Sequence, residues 1–283
     1  MLECSLGPME IVTVTYSADL PTMLLQAHSL DAFAITAVTH HVYIEDTEIS
    51  MQDWHQALLP YYTRNQLVLH DGNALLRSRL GEANWCGWVN QQLLKLLSAR
   101  DVSSARYLVL DSKNLFIKPF DISDWPLDHG NGLARDSWQD RMEQFIEDFT
   151  EFSGLPNTGN WLHPLTPWVM HTDVAKTCFD RGYVHYMLQH PVPYEFVVYT
   201  SVANELARPF PKTAFDVCAK FHVPPKLKKL SQLAEISADP QQLMISLHNR
   251  VIRSPRSDQT ADWLCDLGLD RDIVSARMNI AVE

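Results

Sequence analysis

Residues 107–110 (YLVL) run straight into Asp111, a polar knot of Ser112, Lys113 and Asn114 follows, and a second apolar run closes on Pro119. The first run is too short for a helix and suits a strand buried on both faces, which places it inside a mostly parallel sheet. In open α/β sheets, ligands bind beyond the carboxyl ends of such strands. Asp111, Ser112, Lys113 and Asn114 stand where that rule puts a site. Asp, Ser and Asn are also ordinary turn formers, so a plain strand-ending turn is the competing reading.

The chain before this stretch alternates as a parallel sheet requires. Residues 10–16 (EIVTVTY) read as a first strand, ending at Ser17-Ala18-Asp19 and followed by a helix that accepts Pro21 in its first turn. Residues 38–44 and 66–70 read as two further strands. His40 and His41 lie on opposite faces of the first of these, and both are expected to be structural. Residues 85–97 (WCGWVNQQLLKLL) form a helix with two stripes. Cys86, Val89, Leu93 and Leu96 make its core face. Trp85, Trp88, Gln92 and Lys95 line up beside it as the wall of a polar pocket, the competing reading being a lysine snorkelling over packed tryptophans.

Beyond the central strand, Trp138, Met142, Phe145, Phe149 and Phe152 repeat at helical spacing and make a core face. Residues 154–167 form an irregular loop with Trp161, His163 and Thr166, and a helix starts at Thr172. Residues 196–200 are expected as a strand behind Pro193-Tyr194-Glu195, residues 226–236 as a helix, 242–248 as the last strand, and 258–267 as a closing helix. The expected division is an extension over 1–9, one α/β unit over 10–253 and a helical tail over 254–283 packed on it.

Composition removes several classes. A net charge of −11 argues against nucleic-acid binding, which needs clustered Lys and Arg. Neither GxxxxGK[ST] nor GxGxxG occurs, and ten glycines are few for ordinary nucleotide-hydrolysing or dinucleotide-binding folds. The five cysteines are scattered and form no CxxC pair, which argues against a zinc ribbon or disulfide framework and makes the cytoplasm the expected compartment. No apolar run is long enough to span a membrane, so contact with the inner membrane face would be peripheral.

Three stretches in order carry a resemblance: TVTYSADL near the start, GWVNQQLLKLL, and YLVLDSKNLFIKPF. Together they resemble the GT-A class of nucleotide-sugar glycosyltransferases, over roughly residues 10–250. More narrowly they are similar to a bacterial family of unknown function with a glycosyltransferase-like fold. That family has a Trp-x-x-Gln-Gln-x-x-Lys helix, a Leu-Asp-x-[Asp/Lys]-Asn motif and a late Glu-[Tyr/Phe]-x-x-Tyr element, matched here by Glu195 to Tyr199. The resemblance implies a GT-A-like α/β fold and a sugar-nucleotide donor. It also implies a saccharide or lipid-linked acceptor and a place in surface polysaccharide or glycoconjugate synthesis.

The departure is Lys113. GT-A enzymes usually carry Asp-x-Asp at this point and hold a divalent metal such as manganese or magnesium there through carboxylate oxygens. An ammonium in place of the second acid repels such a cation and offers a point charge to the leaving phosphate instead. Negative charge grows on that phosphate as the sugar bond breaks, and preorganised cations stabilise it. Lys113 is therefore the expected catalytic cation. By resemblance to inverting enzymes, Glu195 is the expected base for the acceptor hydroxyl. Tyr16, Asp19, Gln92, Lys95, Asp111, Asn114, His248 and Arg250 are the expected donor contacts, with His163 and Thr166 on the acceptor side. Two other classes stay open: a phosphatase or phosphotransferase with an Asp nucleophile, and a degenerate transferase kept as a binding module.

Overall fold

The computed structural model describes residues 9–46, 48–81, 87–125, 139–159, 161–162, 166–190, 192–208, 218–221, 235–236, 238–239, 242–247, 257–266 and 268–280. Strand β1 (Glu10–Thr15) leads through a 3-10 turn (Ser17–Asp19) into helix α1 (Leu20–Phe33), with Pro21 in its first turn. Then come β2 (Thr39–Ile44), α2 (Met51–Leu58), β3 (Gln66–Asp71), α3 (Gly72–Leu80) and α4 (Gly87–Leu97). Asp71 begins α3 by accepting the Ala74 amide at 2.8 Å, the usual role of an acid ahead of a helix. Strand β4 (Arg106–Asp111) turns tightly into β5 (Asn114–Phe116). The second half holds α5 (Gln139–Ser153), β6 (Trp168–His171), α6 (Thr172–Asp180), α7 (Tyr183–Gln189), α8 (Glu195–Glu205), β7 (Cys218–Phe221), β8 (Met244–Leu247), α9 (Ser257–Asp266) and α10 (Arg271–Ile280).

The main sheet has the order β3-β2-β1-β4-β6, parallel except for β6. The chain winds outward from β1 through β2 to β3, then crosses back to place β4 on the other side of β1. The crevice between the carboxyl ends of β1 and β4 is the topological switch point, the place where such sheets bind ligands. One face of the sheet (Val12, Val14, Tyr43, Tyr107, Val109) packs under α4 to α8. The other (Ile11, Val42, Ile44, Leu108, Leu110) packs on α1 and α2. A small second sheet, β5-β8-β7, shares a third apolar cluster with Leu25 of α1 and with Ala261, Leu264, Leu269 and Val274 around α9 and α10.

Strands β1 to β4 fall where the sequence places them. Residues 196–200 do not form a strand: they lie inside α8. Residues 195–203 are buried on every side, so the segment has no polar face to mark a helical period. Its β-branched residues imitate a buried strand, and packing between α4 and α6 overrides that local preference. Most of the helix expected over 226–236 lies outside the described residues. Among the described residues, no helix is long and apolar enough to cross a membrane.

Candidate functional site

The turn after β4 is held from three sides. The Asp111 amide donates to Asn114 Oδ1 at 2.7 Å, which closes the turn on itself. Thr166, just ahead of β6, donates its hydroxyl to the same Asn114 oxygen at 2.8 Å. From below, Gln26 of α1 donates to the carbonyls of Asp111 (2.7 Å) and Asn114 (2.9 Å). Gln26 is itself fixed by the Thr13 hydroxyl at 2.9 Å, Thr13 is in contact with His40 Nε2 at 2.9 Å, and His40 Nδ1 is in contact with the Tyr62 hydroxyl at 2.7 Å. Complete burial, with His41 nearby, pushes the His40 pKa down to about 3, so the ring is neutral and serves only to transmit this hydrogen-bonded support. Across the crevice, Ser112 donates its hydroxyl to Asp19 at 2.7 Å, tying the end of β4 to the loop after β1.

Asp111 emerges from this frame between two ammonium groups. Lys95 Nζ of α4 lies 3.6 Å from Oδ1 and Lys113 Nζ lies 3.6 Å from Oδ2. Lys95 also donates to Glu195 Oε1 at 3.2 Å, from the first turn of α8, and its ammonium sits 4.8 Å from the centre of the Trp168 ring. The result is a string of alternating charge, Lys113–Asp111–Lys95–Glu195, running from solvent into the core. Side-chain exposure falls along it from 34% through 24% and 7% to 1%, so solvent reaches mainly its outer half. Burial alone would push the Lys95 ammonium pKa down, but the Glu195 and Asp111 carboxylates outweigh it and hold the value above that of an ordinary lysine. For Glu195 burial dominates and raises the pKa, with Lys95 opposing only in part.

Helix α4 anchors a second acid on the same sheet face. Gln91, one turn before Lys95, donates to Glu45 Oε1 at 3.2 Å, just past the end of β2. Gly87 belongs to the same contact: a Cβ there would stand 3.0 Å from that oxygen. Burial pushes the Glu45 pKa up to about 8 against the pull of Gln91, with Asp46 and Asp19 adding to the rise. Its Oε2 is buried without a hydrogen-bond partner.

The structure thus brings together Lys113, Asp111, Lys95 and Glu195, with Asp19 across the crevice. It does not bring Gln92 to them: that amide is buried and donates to the Trp88 carbonyl of its own helix at 3.2 Å. Asn114 and Thr166 are buried: the Asn114 side-chain oxygen and the Thr166 hydroxyl hold the turn, and Asn114 Nδ2 contacts Cys218 Sγ of β7 at 3.8 Å. Tyr16 follows β1 directly, and its carbonyl accepts the Asp19 amide at 2.9 Å. His163, His248 and Arg250 lie outside the described residues. Sequence reasoning missed Gln26, Glu45, Gln91 and Trp168. Only Glu45 carries a local signal, as one of two acids directly after a strand of the parallel sheet.

The profile of a family of unknown function, DUF6492, matches residues 8–190, which include β1 to β4, α4 and the turn at Asp111. The chain belongs to this family. No curated protein is detectably similar to it in sequence. Among solved structures, the WbbM bifunctional glycosyltransferase superposes with a TM-score of 0.55 at 12% identity, over 97% of this chain and 52% of that one. The chain therefore spans about half the length of WbbM. The galactosyltransferase LgtC, solved with donor and acceptor sugar analogues, gives 0.51 at 11% identity over 95% and 100% of the two chains. Mouse xyloside xylosyltransferase 1 gives 0.50 at 11% identity over 85% and 98%. This member of DUF6492 has the GT-A-type glycosyltransferase fold.

A GT-A fold raises the question of a divalent metal at the end of β4, and the described residues there do not fit one. Both oxygens of Asp111 face ammonium groups, and the residue two positions on, Lys113, is one of them. A divalent cation needs several hard oxygen ligands converging on one point. Here it would have to displace two cations to obtain one carboxylate.

Proposed function

We propose that this DUF6492 protein transfers a sugar from a nucleotide donor to a hydroxyl acceptor, with lysines in place of a metal. The observation that carries this reading is Asp111, at the switch point of a GT-A-type sheet, bracketed by Lys95 and Lys113 at 3.6 Å each. Asp111 binds hydroxyls of the donor. Lys113, the outer cation, faces the departing phosphate, and Lys95 adds positive potential from behind. Lys113 is in place before reaction, so it stabilises the growing charge without reorganisation. Tyr16 and Asp19 border the nucleoside end of the crevice.

Glu195 enters in a different role from a base. A general base must reach the acceptor hydroxyl within hydrogen-bond distance, whereas this carboxyl is sealed in the core against Lys95. Its part is to hold Lys95 in line with Asp111. On the acceptor side Trp88 is 42% exposed and stands edge-on to Tyr194 with ring centroids 6.0 Å apart, an aromatic surface suited to a saccharide. The acceptor is a free or lipid-linked saccharide of a bacterial surface glycan, reached from the cytoplasmic side of the membrane.

The test is release of nucleotide from a panel of UDP-, GDP- and CDP-sugars, with and without an oligosaccharide acceptor, in chelator and in manganese. Turnover of one donor that persists in chelator is expected. Absence of turnover and of binding for every donor overturns the transferase reading. Activity lost in chelator and restored by manganese overturns the metal-free mechanism alone.

A further inference from the structure

The inner end of the charge string holds a carboxyl that touches no substrate, and its surroundings suit it to a second task. Glu195 Oε1 accepts from Lys95, and Oε2 is buried without a hydrogen-bond partner. A buried carboxylate with one unsatisfied oxygen is kept ionised mainly by its cation, because desolvation disfavours the charge. That cation is shared: Lys95 lies 3.2 Å from Glu195 and 3.6 Å from Asp111. The charged groups that face Glu195 are Lys95 from α4 and, as a like charge, Asp111 from β4. Trp168 of β6 flanks the same ammonium, and Tyr194 and Phe196 enclose the start of α8. Lys113, Asp111, Lys95 and Glu195 together carry no net charge when all are ionised.

We propose that Glu195 is a positioning residue that takes up one proton when a nucleoside diphosphate binds at Asp111 and draws Lys95 outward. The inference rests on the donor reading above and adds a proton to it. The diphosphate brings negative charge to the outer half of the string and competes with Glu195 for the shared ammonium. As Lys95 turns toward the phosphate, the Glu195 carboxylate loses its compensation and becomes a carboxylic acid, the proton coming from solvent. No bond to carbon changes. By linkage, nucleotide affinity falls as pH rises, approaching about tenfold per unit once free Glu195 is fully ionised. If Glu195 were only a fixed counter-ion, no proton would move.

Calorimetric titration of UDP, GDP, CDP and ADP into the full chain, at one near-neutral pH in PIPES, HEPES and Tris with chelator present, reads this directly. Binding enthalpy should change with the ionisation enthalpy of the buffer, with a slope corresponding to about one proton taken up. Glu195→Gln keeps a hydrogen bond to Lys95 but cannot take the proton, so its slope should vanish. If that variant does not fold, the pH dependence of wild-type nucleotide affinity serves: affinity should fall toward tenfold per unit as pH rises, and an affinity flat with pH overturns the coupling. A nucleotide that binds wild type with zero slope overturns the coupling and leaves the donor reading standing. A slope kept in the variant overturns the assignment to Glu195. Binding by none of the nucleotides overturns the donor reading and this inference with it.

Discussion

Two clusters of ionisable groups sit on the same face of the main sheet, and they are built on different plans. At the amino end of β1, Glu10 accepts the Ser103 amide (2.8 Å), the Ser103 hydroxyl (2.6 Å) and the Ser104 amide (2.8 Å) on one oxygen, and meets His41 Nε2 at 2.5 Å on the other. His41 Nδ1 in turn meets His70 Nε2 at 2.9 Å, and Tyr43 stacks on His70 while donating to Asp101 at 2.9 Å. Each Glu10 oxygen and both His41 nitrogens have a partner. At the carboxyl ends the ladder is incomplete: Glu195 and Glu45 each keep one buried oxygen without a partner. Buried polar groups are normally paired, and native exceptions gather where a ligand, a proton or strain is part of the work. The difference separates a fully paired clasp from the candidate site by pairing rather than by residue type, since both clusters contain buried acids.

The largest effect is expected from Lys95→Met, which breaks the charge string at its middle. Removing one partner of a buried ion pair typically costs about 3–5 kcal/mol, and turnover should be lost with the cation. Without Lys95 the Glu195 pKa rises further above its unfolded value. The remaining stability should therefore decline as pH rises, and denaturation curves at mildly acid and mildly alkaline pH should separate. Equal stability at both would mean that the string is less tightly coupled than its distances indicate.

Lys113→Ala comes next. The loss of one preorganised cation at the leaving group should raise the barrier by about 2–4 kcal/mol, read as a fall in turnover. Because the side chain is partly exposed, the melting temperature should hardly move. A large loss of stability with unchanged turnover would move Lys113 from the site to the fold.

Glu10→Gln tests the other cluster and should do the reverse. Replacing the ionised acceptor of four hydrogen bonds should cost about 1–3 kcal/mol and leave nucleotide affinity of the folded protein unchanged. Affinity that falls in step with stability would show that the two ends of the sheet are coupled.

The smallest effect separates the clusters by the sign of their pH dependence. For Glu10, burial pushes the pKa up, but the hydrogen bonds from Ser103, His41 and Ser104 outweigh it and hold the value below 4.5. Its stabilisation is present above that value and is lost as pH falls through the folded pKa. Glu45 runs the other way: its folded pKa of about 8 lies above the unfolded 4.5, so the native state binds the extra proton between them and stability declines as pH rises across that window. Glu45→Gln should therefore stabilise the protein by about 1 kcal/mol or more near pH 8 and by little near pH 4.5. Thermal melts across that range check it, and a variant no more stable than wild type at the upper end would show that Glu45 keeps its charge in the fold.

What the sequence determined by itself is local. The run of residues 107–110 into Asp111 gives a buried strand with an acid at its carboxyl end, and β1, β2 and β3 follow from β-branched runs bounded by turns, because strand period and turn chemistry act over a few residues. The candidacy of Asp111, Lys113 and Lys95 was likewise legible, from a strand end and a helical stripe. Partnership was not. Lys95 and Glu195 are 100 residues apart and Gln91 and Glu45 are 46 apart, so no spacing rule connects them. Only the packing of α4 between α8 and the carboxyl ends of β2 and β4 makes those pairs. The same packing turned residues 195–205 into a helix against their β-branched appearance, since a segment buried on every side carries no periodicity to read. It also turned Glu195 from an expected base at a strand edge into the sealed inner end of a charge string, because exposure is a property of the folded surface and not of the residue.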